Sequence, residues 1–231
     1  MTGVTGEDDL PDWLQPVAAA IPEVRPLDLS RFLAPRGVAT QPASVLLLFG
    51  EEDAEPVILL TERSHDMRSH AGQVAFPGGR QDPEDADAVA AALREAEEET
   101  GLDAAGVDVF GVLPTLWLPP TNFSVTPVIG WWRTPSPVSA VDPAETASVH
   151  LVPIAELLDP ANRMMVRHPS GYIGPGFHVR ELVVWGFTAG ILARLFVIVG
   201  WETAWDESRH VELPKHMVAS SLRDIRRVSG R

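Results

Sequence analysis

The sequence predicts a mixed α/β domain. Three observations carry that prediction: paired short runs of branched apolar residues, an acidic helix in mid-chain with an apolar face, and strand and helix patterns that alternate along the chain. Branched runs at residues 45–49 and 57–61 flank the polar stretch Gly50-Glu51-Glu52-Asp53-Ala54-Glu55-Pro56, which is the pattern of a β-hairpin. A short strand at 73–76 precedes Pro77-Gly78-Gly79, whose glycines punctuate a loop. The spacing predicts a helix over 87–100. Asp85 or Asp87 can cap its start, Val89, Leu93 and Ala96 recur at helical spacing, and Gly101 suits a left-handed C-terminal cap. Strands are predicted at 107–118, where Pro114 interrupts the run or places it at an edge, and at 123–132. A proline-rich loop (133–146), a strand (149–152), a short helix (153–158), an apolar helix (182–199) and a C-terminal helix (214–228) complete the pattern. Residues 1–26, acidic and carrying four prolines, read as a loose leader with a short helix near 13–20. Residues 27–231 read as a single domain with a C-terminal helical extension.

The composition narrows the function. At 45% hydrophobic and 22% charged, the chain has the make-up of an ordinary soluble globular domain. It contains no cysteine, so thiolate metal sites, disulfides and cysteine nucleophiles are excluded. A formal net charge of −14 disfavours nucleic-acid binding as the main role. The N-terminus lacks a basic segment followed by an apolar one, and the longest apolar stretch contains Arg194 and is too short to span a bilayer. The expected location is cytoplasmic, with no membrane partner.

The chemistry concentrates in Gly79-Arg80-Gln81-Asp82-Pro83-Glu84-Asp85 and Arg94-Glu95-Ala96-Glu97-Glu98-Glu99-Thr100-Gly101-Leu102. Successive helical residues turn by about 100°, so Glu95, Glu98 and Glu99 share an arc of roughly 100° while Glu97 points away. Three carboxylates on one face repel each other, and a divalent cation removes that cost. Hard oxygen ligands of this kind suit Mg²⁺ or Mn²⁺. Such an ion can neutralise a diphosphate and activate water. The plainer reading of a glutamate-rich helix is a solvated surface, but that leaves Gly79, Arg94, Gly101 and Leu102 unexplained. An arginine within the acidic run can also orient carboxylates by paired hydrogen bonds.

At these residues the sequence resembles the Nudix hydrolase family. Gly79, Arg94, Glu95, Ala96, Glu98, Glu99, Gly101 and Leu102 match its box. Asp85 stands where a glutamate is expected, and eight residues rather than seven separate it from Arg94. The resemblance implies a Nudix α/β/α sandwich with a mixed β-sheet, metal bound by Glu95, Glu98 and Glu99, and Arg94 in the catalytic set. Upstream, Leu59-Leu60-Thr61-Glu62-Arg63-Ser64 and Gly72-Gln73-Val74-Ala75-Phe76-Pro77-Gly78-Gly79 resemble the extended signature of the coenzyme A pyrophosphatase branch, which shares the longer box.

That branch implies hydrolysis of coenzyme A or a derivative to 4′-phosphopantetheine and adenosine 3′,5′-bisphosphate. It also assigns Gly78 and Gly79 to substrate binding, offers Glu145 as a general base and implies a homodimer. Arg63, Arg68 and His70 can supply local cations for phosphates, with a structural ion pair as the other reading of either arginine and a structural role as the favoured reading of His70. Two alternatives stand beside this one: a Nudix hydrolase of ADP-ribose or another nucleoside diphosphate derivative, and a catalytically silent nucleotide-sensing module.

Overall fold

The computed structural model describes residues 10–34, 37, 39–65, 67, 71–119, 121–214 and 217–218. In chain order the elements are α1 (Gln15–Ala20), α2 (Pro26–Leu29), β1 (Gln41–Glu52), β2 (Glu55–Arg63), β3 (Val74–Ala75), β4 (Gly78–Arg80), α3 (Ala88–Thr100), β5 (Val107–Val112), β6 (Leu116–Leu118), β7 (Phe123–Trp132), β8 (Thr146–Pro153), α4 (Ile154–Leu158), β9 (Arg163–Arg167), β10 (Ile173–Val179), β11 (Leu182–Val184), α5 (Gly186–Ile198) and β12 (His210–Glu212).

The predicted hairpin is β1–β2, and its strands run further than the apolar runs that signalled it. Glu52 faces Glu55 across a two-residue turn, and both turn residues, Asp53 and Ala54, have positive φ (50° and 65°). Such a turn matches the right-handed twist of the flanking strands. β1 pairs with β2 and β4 antiparallel and with β7 in parallel, so the sheet is mixed, in the order β3-β2-β1-β7-β5 with β4, β6 and β8 attached at its margins.

Both faces of β1 are buried, and its alternation divides two cores. Leu46 and Leu48 join Leu59, Val128, Trp132, Ala92 and Ala96 beneath α3. Leu47 and Phe49 join Ile58, Leu60, Ile129, Leu192 and Phe196 beneath α5. A sheet apolar on both faces requires a helix on each side, and this gives the expected α/β/α sandwich.

Two expectations change. Residues 10–24 are not loose. Leu14 and Val17 are fully buried, and Trp13 packs edge-on against Phe49 and Trp131 at centroid distances of 6.2 and 6.0 Å while its indole N–H donates to Glu51 at 2.7 Å. Apolar residues spaced along the short helix let this segment close the α5-side core despite its prolines.

The apolar helix expected over 182–199 is a strand, β11, followed by α5. Trp185 is extended and Gly186 has φ +68°, which separates the two. A short branched run cannot be assigned to helix or strand by pattern alone. β11 belongs to a second, four-stranded sheet in the order β11-β10-β9-β12, which the sequence pattern did not indicate. Most of the helix expected over 214–228 lies outside the described residues.

Candidate active site

Sequence fixes α3 at both ends. The Asp87 carboxylate accepts from the Val89 and Ala90 N–H groups, both at 2.9 Å, and Gly101 closes the helix with φ +69° and an N–H bond to the Glu97 carbonyl at 2.8 Å. Ala92 and Ala96 face the sheet, and their small side chains let the helix lie close to it. That orientation carries the glutamates from the sheet edge outward: Glu99 is buried, Glu95 partly buried, and the Glu98 side chain 60% exposed.

Arg94 is the hub of the outer part. Its guanidinium clasps both oxygens of Asp85 (3.0 and 2.9 Å) and donates to Glu95, to Glu98 and to the Arg80 carbonyl, each at 3.0 Å. Hydrogen bonding to Asp85 raises the Arg94 pKa and lowers that of Asp85. Asp87 is therefore the cap, and Asp85 is the carboxylate that holds Arg94 in place, its own position fixed by the Asp82 N–H at 2.8 Å. Sequence reasoning left Asp85 without a firm role. The available signal was an acidic residue in the loop just ahead of a helix that carries an arginine among glutamates.

Glu99 forms the inner part. One carboxylate oxygen accepts from the Gly78 N–H at 3.2 Å, and the other lies 3.7 Å from an Arg63 guanidinium nitrogen. Burial pushes Glu99 up to about 7. Arg63 and the Gly78 N–H oppose that rise, while the charges of Glu95 and Glu145 add to it. Burial also raises Glu95, partly offset by Arg94 and reinforced by Glu98 and Asp82.

Gly78 and Gly79, expected in a loop, begin strand β4 paired with β1, and the absence of side chains explains how the strand reaches this close. Gly78 has φ +152°, and a Cβ there would run into the Ser44 carbonyl and Val45. A Cβ on Gly79 would run into the Glu95 carboxylate. In this structure the two glycines contact the acidic helix itself. Glu145 sits exposed on a loop tied to the end of β2 by the bond from Ser64 N–H to its carbonyl (2.8 Å), and its charge acts on Glu99. Arg68 and His70 lie outside the described residues.

The three box glutamates do not converge on one point. Glu95 and Glu98 share Arg94, whereas Glu99 turns to Gly78 and Arg63. Among the described residues, no group of three His, Cys, Asp or Glu side chains is arranged to hold a metal ion. The donor set still fits a hard divalent cation: oxygen ligands, two of them with pKa values raised by burial, and more carboxylates than guanidinium groups to neutralise them. A further polar chain, on the β2–β8 pair, went unforeseen. Ser148 Oγ donates to Glu62 at 2.9 Å and lies 2.7 Å from His150 Nε2, and His65 Nε2 approaches Glu62 at 3.2 Å.

A mixed sheet between helices, with the glycines of β4 laid against an arginine-clasped glutamate helix, defines a class of α/β folds built around an acidic helix. Comparison with known proteins identifies the member. The NUDIX domain model matches residues 39–170. The uncharacterised Nudix hydrolase NudL of Cronobacter sakazakii is 40% identical over 194 residues, covering 77% of this chain and 98% of that protein. NudL of Escherichia coli K12 is 41% identical over 153 residues, covering 63% and 77%. Among solved structures, the Nudix hydrolase RenU of M. smegmatis matches with a TM-score of 0.51 at 20% identity, over 73% of this chain and 91% of that one, which shows a shared fold. The chain belongs to the Nudix hydrolase family.

Proposed function

We propose that the protein is a metal-dependent pyrophosphohydrolase that cleaves the diphosphate of coenzyme A or a derivative, giving 4′-phosphopantetheine and adenosine 3′,5′-bisphosphate. The observation that carries the hydrolase reading is the two-part glutamate centre: Glu95 and Glu98 on Arg94, and Glu99 on the Gly78 N–H of β4. Glu95, Glu98 and Glu99 would hold Mg²⁺ or Mn²⁺. When bound, such an ion supplies charge neutralisation of the diphosphate and polarisation of its phosphorus–oxygen bonds.

The residues of the chain do the rest. Asp85 and Arg94 keep the glutamates in register, and the Gly78–Gly79 backbone gives close access to the acidic helix. Glu145, exposed beside Glu99, is the proposed acceptor of a proton from the attacking water. Water adds to one phosphorus, the bridging phosphorus–oxygen bond breaks, and two phosphate monoesters leave. The coenzyme A assignment is supported by the likeness of residues 59–64 and 72–79 to that branch.

The test is product analysis after incubating the protein with Mn²⁺ and coenzyme A, with ADP-ribose in parallel. The expected products are 4′-phosphopantetheine and adenosine 3′,5′-bisphosphate. Cleavage of ADP-ribose with coenzyme A untouched would overturn the substrate assignment. Tight nucleotide binding without cleavage of either would overturn the enzyme.

A further inference from the structure

We propose that Arg63 is a positioning residue of the acidic helix. In this view it is a built-in counter-cation for Glu99 that gives way when a divalent ion is taken up, and it is not a clamp for substrate phosphate. The inference rests on the reading of Glu99 as a metal ligand.

The geometry of β2 points to it. The β2–β8 ladder shifts between Glu62, opposite Ser148, and Arg63, opposite Thr146. An irregularity of this kind re-aims a side chain. The Arg63 backbone is pinned on the β3 side: its N–H donates to the Gln73 carbonyl at 3.0 Å and its carbonyl accepts from Gly72 at 3.1 Å. The side chain, 27% exposed, then reaches across to a Glu99 that is 9% exposed.

The contact is loose. At 3.7 Å it is an ion pair without a hydrogen bond, and Arg63 Nε is buried with no hydrogen-bond partner among the described residues. Arg94, by contrast, makes five hydrogen bonds, among them the paired clasp of Asp85. Paired arginine–carboxylate bonds are strong and directional, whereas a single-point contact is easily exchanged. A guanidinium and a divalent cation that serve the same carboxylate repel each other. Arg63 should therefore stabilise the metal-free protein and compete with the metal.

That combination has a signature no other role shares. Loss of a merely structural arginine lowers both stability and metal affinity. Loss of a phosphate clamp changes neither and raises KM. Loss of a counter-cation lowers metal-free stability and raises metal affinity. Arg63→Gln and Arg63→Lys in the full chain test this, with Mn²⁺ binding followed by electron paramagnetic resonance in alkaline buffer and melting followed in EDTA.

For Arg63→Gln the expected results are about three- to tenfold tighter Mn²⁺ binding and a lower melting temperature in EDTA. The gain in affinity should disappear when Glu99→Gln is the background. Arg63→Lys, which keeps the charge, should bind Mn²⁺ within about twofold of the parent. Unchanged or weaker Mn²⁺ binding by Arg63→Gln would overturn the proposal. If that variant does not fold, a change of tenfold or more in Arg63→Lys would do the same. Neither readout uses a substrate, so the outcome is separable from failure of the hydrolase reading, while absence of Mn²⁺ binding by the parent protein would overturn both.

Discussion

Arg94 and Arg163 solve the same electrostatic problem in opposite ways. Arg94, on the acidic helix, is partly exposed and surrounded by three carboxylates within 3.0 Å. Arg163, on β9, is 1% exposed and has one carboxylate, Glu202 at 2.8 Å. The guanidinium carbon of Arg163 lies over the rings of Phe177 and Trp205, at 4.8 and 4.7 Å, and its Nε and Nη1 have no hydrogen-bond partner among the described residues. Burial lowers the Arg163 pKa, whereas hydrogen bonding to Asp85 raises that of Arg94. The difference separates the proposed site from architecture. Around Arg94 negative charge is in surplus and can accept a further cation. Around Arg163 positive charge is only just matched, and the group serves to join β9 to the segment that follows α5.

The sharpest break in this comparison is Glu98→Gln. The side chain is mostly exposed, so the fold should be nearly indifferent, with a change within about 0.5 kcal/mol. If Glu98 is a metal ligand, turnover of coenzyme A should fall by roughly a thousandfold, about 4 kcal/mol of transition-state stabilisation. Steady-state kinetics beside a melting curve would decide it, and near-normal turnover would remove Glu98 from the metal site.

Arg163→Met is the converse. Removing one partner of a buried pair typically costs about 3 kcal/mol or more, and Glu202 keeps some solvent to soften the loss. Denaturant unfolding should show a loss of about that size, while kcat/KM measured well below the melting temperature stays near the parent value. A stable variant with lost activity would invert the assignment of the two regions.

The regions also differ in how far the sequence exposed them. The acidic helix was legible because local rules determine it: Asp87 as cap, Gly101 in the left-handed region, and carboxylates at spacings that share a face. The second sheet was not. β10 reads Ile-Gly-Pro-Gly-Phe-His-Val, and its Gly174, Pro175 and Gly176 look like turn signals. It is a strand because it pairs with β9 and β11, its neighbours along the chain, and packs its buried Phe177 edge-on against Phe196 of α5, and that packing between elements overrides the turn-like Gly-Pro-Gly composition. The same limit applied within the site. The glutamates followed from spacing. The Arg63–Glu99 pair joins residues on different elements, and nothing local distinguishes it from a phosphate contact.

Titration offers a finer test of the surplus charge. Glu99 is raised from its ordinary 4.5 to about 7, so the folded state holds a proton that the unfolded chain has released across that range. Its contribution to stability is full below about 4.5 and is lost as pH rises through about 7. Burial lowers His150 and His168, which act in the opposite direction near neutrality, and Asp85, with its lowered pKa, gives stability that is lost only in acid. The informative quantity is therefore the difference between the parent and Glu99→Gln, melted in EDTA across pH 5 to 8. The variant should gain on the parent as pH rises. Parallel curves would mean that Glu99 carries no excess proton.

The smallest expected effect lies at the end of the acidic helix and separates backbone conformation from side-chain crowding. Gly101 and Gly79 both flank the glutamates, but only Gly79 lacks room for a side chain. At Gly101 a Cβ would meet nothing closer than Val141 at 3.6 Å, an ordinary contact, so the demand there is the positive φ alone. Gly101→Ala should lower stability by about 1 kcal/mol and leave turnover and Mn²⁺ affinity close to the parent, because β4 at Gly78 and Gly79 is untouched. Gly79→Ala should do the reverse: its methyl group displaces the Glu95 carboxylate, so Mn²⁺ affinity falls by more than the melting temperature predicts. If the two alanine variants behave alike in calorimetry and metal titration, the glycines of β4 are not what sets the carboxylates, and the site depends on α3 alone.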